Sequence, residues 1–159
     1  MKLTQKQFNI CRMCVGAAAM ILTLLFLYTH FEFMYIPSSS MEPTYHVNDV
    51  VVLWRTQNID HRDIVMVSRD GANDYYAKRV IGLPGDTISV HDGKAWRNGE
   101  ALDEPYLMEP DVRGVKEEVT VPEGMIFCMG DNRNHSTDSR DFGCFEIQNV
   151  VGKALFKMP

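Results

Sequence analysis

The sequence predicts a mainly β domain, of barrel or sandwich type, behind one N-terminal transmembrane helix. Two observations lead there. The first is Met13–Thr29, 17 residues without a charge, at the short end of the roughly 17–25 apolar residues that cross a bilayer as a helix. The second is the chain after Thr44, which reads as short β-branched runs between Gly, Pro and Asn turns and shows no amphipathic helical period. With 159 residues and 45% hydrophobic content, the chain suffices for one folded domain once the apolar segment is set aside.

Met1–Arg12 carries Lys2, Lys6 and Arg12 and no acid. A basic flank ahead of an apolar run places the N-terminus in the cytoplasm and the following domain outside. Tyr28, Phe31, Phe33 and Tyr35 suit an aromatic belt at the far interface. A cleaved secretory signal has the same basic-then-apolar order. Against it, the run is long for a signal core, and bulky His30, Phe31 and Phe33 stand where a cleavage site needs small residues. The expected division is residues 1–12 in the cytoplasm, 13–29 as a retained anchor and 30–159 as an extracytoplasmic β-rich domain.

Within that domain Asp49–Trp54 and Asp63–Val67 read as strands, and Tyr75–Ile81 continues the theme. Leu83-Pro84-Gly85-Asp86 has the Pro and Gly placement of a type II turn. Thr87–Val90, the Asp92-Gly93 turn, Ala95–Arg97 and the Asn98-Gly99 turn describe two successive tight hairpins. Leu102–Gly114, rich in Pro and acid, reads as a surface loop; Glu117–Val121, Gly124–Met129 and Val150–Phe156 read as further strands.

A net charge of −5 gives no basic footprint, and no zinc-finger or RNA-binding signature occurs, so nucleic acid is not an expected partner. Cys11 and Cys14 have a C-x-x-C spacing but lie in or beside the apolar segment, and Cys128 and Cys144 flank the Gly130–Arg140 stretch, so no metal site is expected. Cys128 and Cys144 suit either a disulfide or two thiols.

Candidate chemistry lies in three stretches. Pro37-Ser38-Ser39-Ser40-Met41-Glu42-Pro43-Thr44 is hydroxyl-rich and bracketed by prolines, each favouring extended geometry before it. Taken alone it reads first as a linker, and with the two stretches below as a rigid seat for a nucleophile. A serine needs a base. Among the histidines, His135 with Asp138 makes a Ser40–His135–Asp138 triad conceivable, although so short a loop would struggle to align both side chains. Lys78 is the better candidate. Strand alternation puts Tyr76, Lys78 and Val80 on one face of Tyr75–Ile81, and Ala77, Arg79 and Ile81 on the other. An apolar setting would lower the lysine pKa toward neutrality, a change arginine cannot make. The plain alternative is an exposed Lys-Arg pair on a strand edge. The third stretch, Gly130–Arg140, fails the calcium-loop pattern: Ser136 stands at the glycine position, and Phe142 where a bidentate Glu belongs. It reads either as a loop of Asp–Arg pairs and Asx turns, or as a support in which Ser136 hydrogen-bonds Lys78 while Asp138 and Arg140 brace the loop.

Pro-Ser-x-Ser-Met-x-Pro-Thr, Lys-Arg-x-x-Gly-x-Pro-Gly-Asp and Gly-Asp-Asn-Arg-x-x-Ser-x-Asp-Ser-Arg, in that order behind an N-terminal anchor, closely resemble the motifs of bacterial type I signal peptidases. The resemblance runs from the anchor onward. It implies a β-rich catalytic core of barrel or sandwich form, with a short inserted region near 90–119 as in compact Gram-positive forms. Ser40 is implied as nucleophile, Lys78 as general base, Ser136 as the residue orienting Lys78, and Ser38 with the Ser40 N–H as oxyanion hole. Ser39 replaces a glycine common in the family. Lys78 marks the Ser/Lys type, since endoplasmic-reticulum and some sporulation-type homologues carry His there.

The implied activity is membrane-bound serine endopeptidase cleavage of signal peptides from exported preproteins, after small residues at −1 and −3. Met34, Ile36, Met41, Tyr76 and Ala77 are candidates to line the substrate pockets. The phospholipid membrane and the secretion translocon are the implied partners, and neither metal nor cofactor is expected. Ser40 follows Thr29 closely, within at most about 3.5 Å per residue of the bilayer. Two rivals are a self-cleaving repressor-type Ser/Lys peptidase, opposed by the apolar anchor, and an inactive tethered β-domain, opposed by intact Ser40, Lys78 and Ser136.

Overall fold

The computed structural model describes residues 4–69, 74–110, 113–114 and 117–158. It divides into two units, residues 1–31 and 32–159. In the first, helix α1 covers Gln5–His30, 26 residues or about 39 Å, with none of its residues buried. Among the described residues it is the one helix long and apolar enough to cross a membrane. It starts eight residues before the uncharged run because Thr4 and Gln7 form a capping box. Lack of charge marks where the chain is apolar, whereas the cap marks where it becomes helical. Lys2 lies outside the described residues.

The β unit is built in chain order from β1 (Phe31–Tyr35), β2 (Val50–Trp54), β3 (Ile64–Ser68), β4 (Tyr75–Gly82), β5 (Thr87–His91), β6 (Lys94–Arg97), β7 (Glu100–Ala101), β8 (Val119–Thr120), β9 (Met125–Met129), β10 (Phe145–Glu146) and β11 (Val150–Lys157). Seven strands form one sheet in the order β1-β2-β11-β3-β4-β9-β10, and four form a second in the order β7-β6-β5-β8. The architecture is the mainly β one the sequence predicts, with two further strands, β1 and β10, and with β7 as the outer strand of the second expected hairpin. β10 is two residues long and too short to show alternation, while the aromatic pattern of β1 read as an interface belt. The expected strand over Glu117–Val121 is reduced to β8. A single turn of helix, α2 (Ser139–Phe142), appears where none was expected, capped by Asp138 and Asp141.

The turns follow from residue chemistry. Gly85 has φ 87° and the Asp86 N–H donates to the Leu83 carbonyl at 3.0 Å, closing the Pro-Gly turn. Asp92-Gly93 and Asn98-Gly99 all have positive φ, between 52° and 80°, as type I′ hairpin turns require. These turns set the β5–β6–β7 registers, Val90 opposite Ala95 and Trp96 opposite Ala101.

Three apolar clusters fill the unit. One gathers Ile59, Val65, Val67, Val80, Ile126, Cys128, Phe145 and Val150. A second gathers Ile36, Met41, Tyr45, Val51, Leu53, Met66 and Ala77 around the serine stretch. The third, with Ile81, Ile88, Val90, Ala95, Val121, Phe127 and Met129, joins residues of the two sheets. Cys128 belongs to the first cluster, whereas Cys144 packs against the third. The two thiols thus pack in different clusters, Cys128 on β9 and Cys144 just ahead of β10, and both are free.

Candidate active site

The serine stretch is not extended throughout. Ser38 is extended at φ −143°, ψ 164°, but Ser39–Met41 forms a 3₁₀ turn closed by the Glu42 N–H donating to the Ser39 carbonyl at 3.1 Å. The turn departs from the expected extended form because tertiary contacts hold it. Met41 is fully buried in the second cluster, an anchor worth about 1.5–3 kcal/mol. Asn132 clasps the turn from the other side, its N–H donating to the Ser40 carbonyl at 3.0 Å and its Nδ2 to the Ser39 carbonyl at 3.1 Å.

β4 supplies Lys78, paired with Val65 in the β3–β4 register. The lysine is 2% exposed, which excludes a solvated strand-edge pair. Its Nζ lies 2.7 Å from Ser40 Oγ, as donor to it in the ammonium form. Ser38 Oγ donates to Ser40 Oγ at 3.2 Å. Burial strips water from the ammonium and brings its pKa down to about 8, a fall moderated first by the charge of Asp138. The neighbouring Arg79 points elsewhere, forking onto Asp131 through Nε–Oδ1 at 2.7 Å and Nη2–Oδ2 at 2.6 Å.

The Gly130–Arg140 loop is built around buried Asp138. Burial raises its pKa, but the Arg140 hydrogen bonds and charge, the Gly130 N–H and Ser136 outweigh that and hold the carboxyl below its usual range. Arg140 donates from Nε to Oδ1 and from Nη2 to Oδ2, both at 2.8 Å. Ser136 Oγ donates to Asp138 Oδ2 at 2.7 Å. In place of the Ser136–Lys78 hydrogen bond expected from sequence, Ser136 thus donates to Asp138, the stronger acceptor, which acts on Lys78 through its charge. Gly130 is required by space: a Cβ there would collide with Ser136 Oγ and with the Ser40 carbonyl. The triad is not assembled. His135 is exposed, its Nδ1 sits 3.2 Å from Asn132 Oδ1, and Asp138 is committed to Arg140, Gly130 and Ser136.

The pocket candidates divide. Ile36, Met41 and Ala77 are buried together in the second cluster, with Met34 partly buried against it. Tyr76 faces the opposite cluster and stacks edge-on with Phe142 at 5.8 Å. Its ring lies 5.8 Å beneath Lys78 Nζ.

Sequence reasoning missed a layer of ion pairs under the loop. Thr44 Oγ1 donates to Asp131, tying the serine stretch to Arg79. Arg133, fully buried, forks onto Glu104 through Nη1–Oε2 at 3.0 Å and Nη2–Oε1 at 2.5 Å. Asn134 donates to Glu109 at 2.8 Å, and Arg113 donates to the Ser136 carbonyl and Asp141. Leu102–Gly114, expected as a surface loop, is thus partly a brace of the site; residues 111 and 112 of it, with 115 and 116 of the expected insertion, lie outside the described residues. The available signal was an acid at Glu104 and an arginine at Arg133, but no spacing rule pairs residues so far apart.

A buried lysine thus lies against a serine hydroxyl, beside a loop of paired charges. Comparison with known proteins gives the class. The signal peptidase family, peptidase S26, matches residues 8–158. The signal peptidase I of Bacillus licheniformis is 38% identical over 152 residues, covering 87% of this chain and 82% of that protein. The probable signal peptidase I-1 of Synechocystis is 36% identical over 151 residues, covering 87% and 76%. A crystal structure of a signal peptidase I from Enterococcus faecalis superposes with a TM-score of 0.54 at 34% identity, over 60% of this chain and 96% of that one. The chain belongs to the signal peptidase family, peptidase S26, and is a serine peptidase of the signal peptidase I type.

Proposed function

We propose that the protein is a single-pass membrane enzyme that removes N-terminal signal peptides from exported preproteins, with Ser40 as nucleophile and Lys78 as general base. The observation that carries the reading is the 2.7 Å approach of Lys78 Nζ to Ser40 Oγ in a buried setting. With its pKa at about 8, the lysine is neutral in about one molecule in ten at pH 7. In that form it accepts the Ser40 proton as Oγ bonds to the scissile carbonyl carbon. Ser38 Oγ and the Ser40 N–H receive the developing oxyanion. The Lys78 ammonium then passes the proton to the departing amine, and the acyl-serine ester is released by a water whose proton Lys78 accepts in turn.

Asp138 and Arg140 set the field around the lysine. The carboxylate raises its pKa and the guanidinium lowers it, so the pair leaves burial as the dominant influence. Met34, Ile36, Met41 and Ala77 form the apolar side against which small substrate residues would lie, and Tyr76 the floor beneath Lys78. Helix α1 serves as the anchor, with the N-terminus in the cytoplasm and the β unit outside, where preproteins emerge from the translocon still held in the bilayer.

The test is cleavage of a preprotein by the full-length protein in detergent. In wild type kcat/KM rises with pH through an apparent pKa of about 8. Ser40→Ala and Lys78→Arg are inactive though folded, and His135→Ala keeps most of its activity. Activity surviving in Lys78→Ala but lost in His135→Ala would overturn the dyad.

A further inference from the structure

The layer beneath the loop converges on one carboxylate that the chemistry above does not use. Glu104 lies between β7 and β8 in sequence, far from Ser40, Lys78 and Gly130–Arg140, yet its side chain is only 5% exposed. It receives three charged or polar donors. Arg133 forks onto both oxygens, and Tyr106 OH donates to Oε1 at 2.7 Å. Arg133 in turn donates from Nε to the Gly130 carbonyl at 3.0 Å, while its own carbonyl accepts from Arg140 Nη2 at 2.7 Å. On the other side the Arg79 guanidinium lies 3.9 Å over the Tyr106 ring and forks onto Asp131. Burial, and then the charge of Glu104, push the Tyr106 phenol well up, so it stays a neutral donor at any working pH.

Two chains of contact therefore start at Glu104 and end at the site. One runs through Arg133 to Gly130, whose N–H holds Asp138 at 3.0 Å and whose missing side chain admits the Ser40 carbonyl. The other runs through Tyr106 and Arg79 to Asp131 and Thr44. Resting on the dyad reading, we infer that Glu104, with Tyr106, is a positioning residue that sets the height of the Gly130–Arg140 loop against Ser40 and so fixes the Ser40–Lys78 alignment.

The physical basis is the stiffness of a bidentate pair. Arg133 and Glu104 meet in a planar fork with almost no exposure, which fixes angle as well as distance. A loop carried on such a fork has one position; a loop carried on water has many. Displacement of a reacting group by about 1 Å can lower a rate by about 10²-fold.

The experiment compares full-length wild type, Glu104→Gln, Tyr106→Phe and Ser40→Ala in detergent, reading kcat, KM, Tm and the pH limb of kcat/KM. Tyr106→Phe removes one hydroxyl and leaves the ring under Arg79, so it carries the test even where Glu104→Gln fails to fold. The expected result is kcat lower by about three- to tenfold in Tyr106→Phe, the loss of one hydrogen bond, and by about 10²-fold in Glu104→Gln, with KM within about twofold of wild type. The limb should rise in both, because a loosened loop lets water back to Lys78, which is faced by Asp138, Cys128, Arg140 and Asp131. A lower Tm with kcat and limb unchanged would overturn the inference, leaving Glu104 a stabilising residue only. Ser40→Ala cleaving at the wild-type rate would overturn the dyad and this inference with it, an outcome distinct from the first, in which Ser40→Ala is dead.

Discussion

Replacing Lys78 by Met should make the protein more stable at neutral pH while abolishing catalysis. In the folded state the lysine pKa is about 8, against 10.5 when unperturbed. Below pH 8 both folded and unfolded chains carry the proton, and the folded one holds it in a site that disfavours it. The difference, roughly 2.5 units, corresponds to about 3 kcal/mol of destabilisation at pH 7. Between pH 8 and 10.5 the folded lysine is neutral while the unfolded one is still charged, so the burden declines as pH rises, to below about 1 kcal/mol at pH 10. Methionine fills similar space without charge. It forfeits the contact with Ser40 Oγ, which subtracts about 1 kcal/mol at every pH. The net gain is about 2 kcal/mol at pH 7 and about zero at pH 10, or a Tm rise of roughly 4–8 °C that vanishes in alkali. Thermal unfolding of both full-length proteins in the same detergent, from pH 6 to 10, measures it. A Lys78→Met protein no more stable than wild type at pH 7, with a difference that does not change with pH, would refute the account of a lysine held against its charge.

Ser38→Ala should lower kcat by roughly 10²–10³-fold with little change in KM, the signature of a lost oxyanion donor, whereas Ser38→Thr should keep much of the rate in the same preprotein assay. Gly130→Ala should be inactive even where circular dichroism shows a folded β unit, because the added methyl must displace either Ser136 or the Ser40 backbone. Leu22→Arg should weaken anchoring, since a basic residue at a helix centre costs about 2.5–3.5 kcal/mol on insertion; carbonate extraction of membranes reads this directly, and protease treatment of intact spheroplasts tests which side the β unit occupies.

What the sequence disclosed, and what it withheld, divides by the range of the interaction. The hairpins around Asp92-Gly93 and Asn98-Gly99 are written in adjacent residues whose left-handed φ angles few other pairs accept. The β-branched runs of β2, β3 and β11 announce themselves in the same way. Ser40, Lys78 and the Gly130–Arg140 loop were legible as motifs, but their meeting was not, because it depends on how β4 and β9 lie beside each other. The 3₁₀ turn at Ser39–Met41 was hidden because proline and serine favour extension locally, and only Asn132 and the burial of Met41 overrule them. Glu104 was hidden for the same reason: nothing near it in the chain records that Arg133 will arrive. The two open readings of Cys128 and Cys144 turn on where each thiol packs, one in the first cluster and the other against the third, which counting cysteines does not reach.

The place of β11 has a consequence for how the protein comes into being. It lies between β2 and β3, which do not pair with each other, and it follows every other strand in the sequence. The strands leading away from Ser40 and those carrying Lys78 are thus neighbours of a third party that the ribosome makes afterwards. Until residues 150–157 have been synthesised and delivered, the two halves of the sheet have no ladder in common. Before that, Ser40 and Lys78 can be brought together only by side-chain packing and loop contacts, those of Met41 with Ala77 and of Asn132 with the serine turn; the last strand of the sheet is what adds a backbone ladder to them.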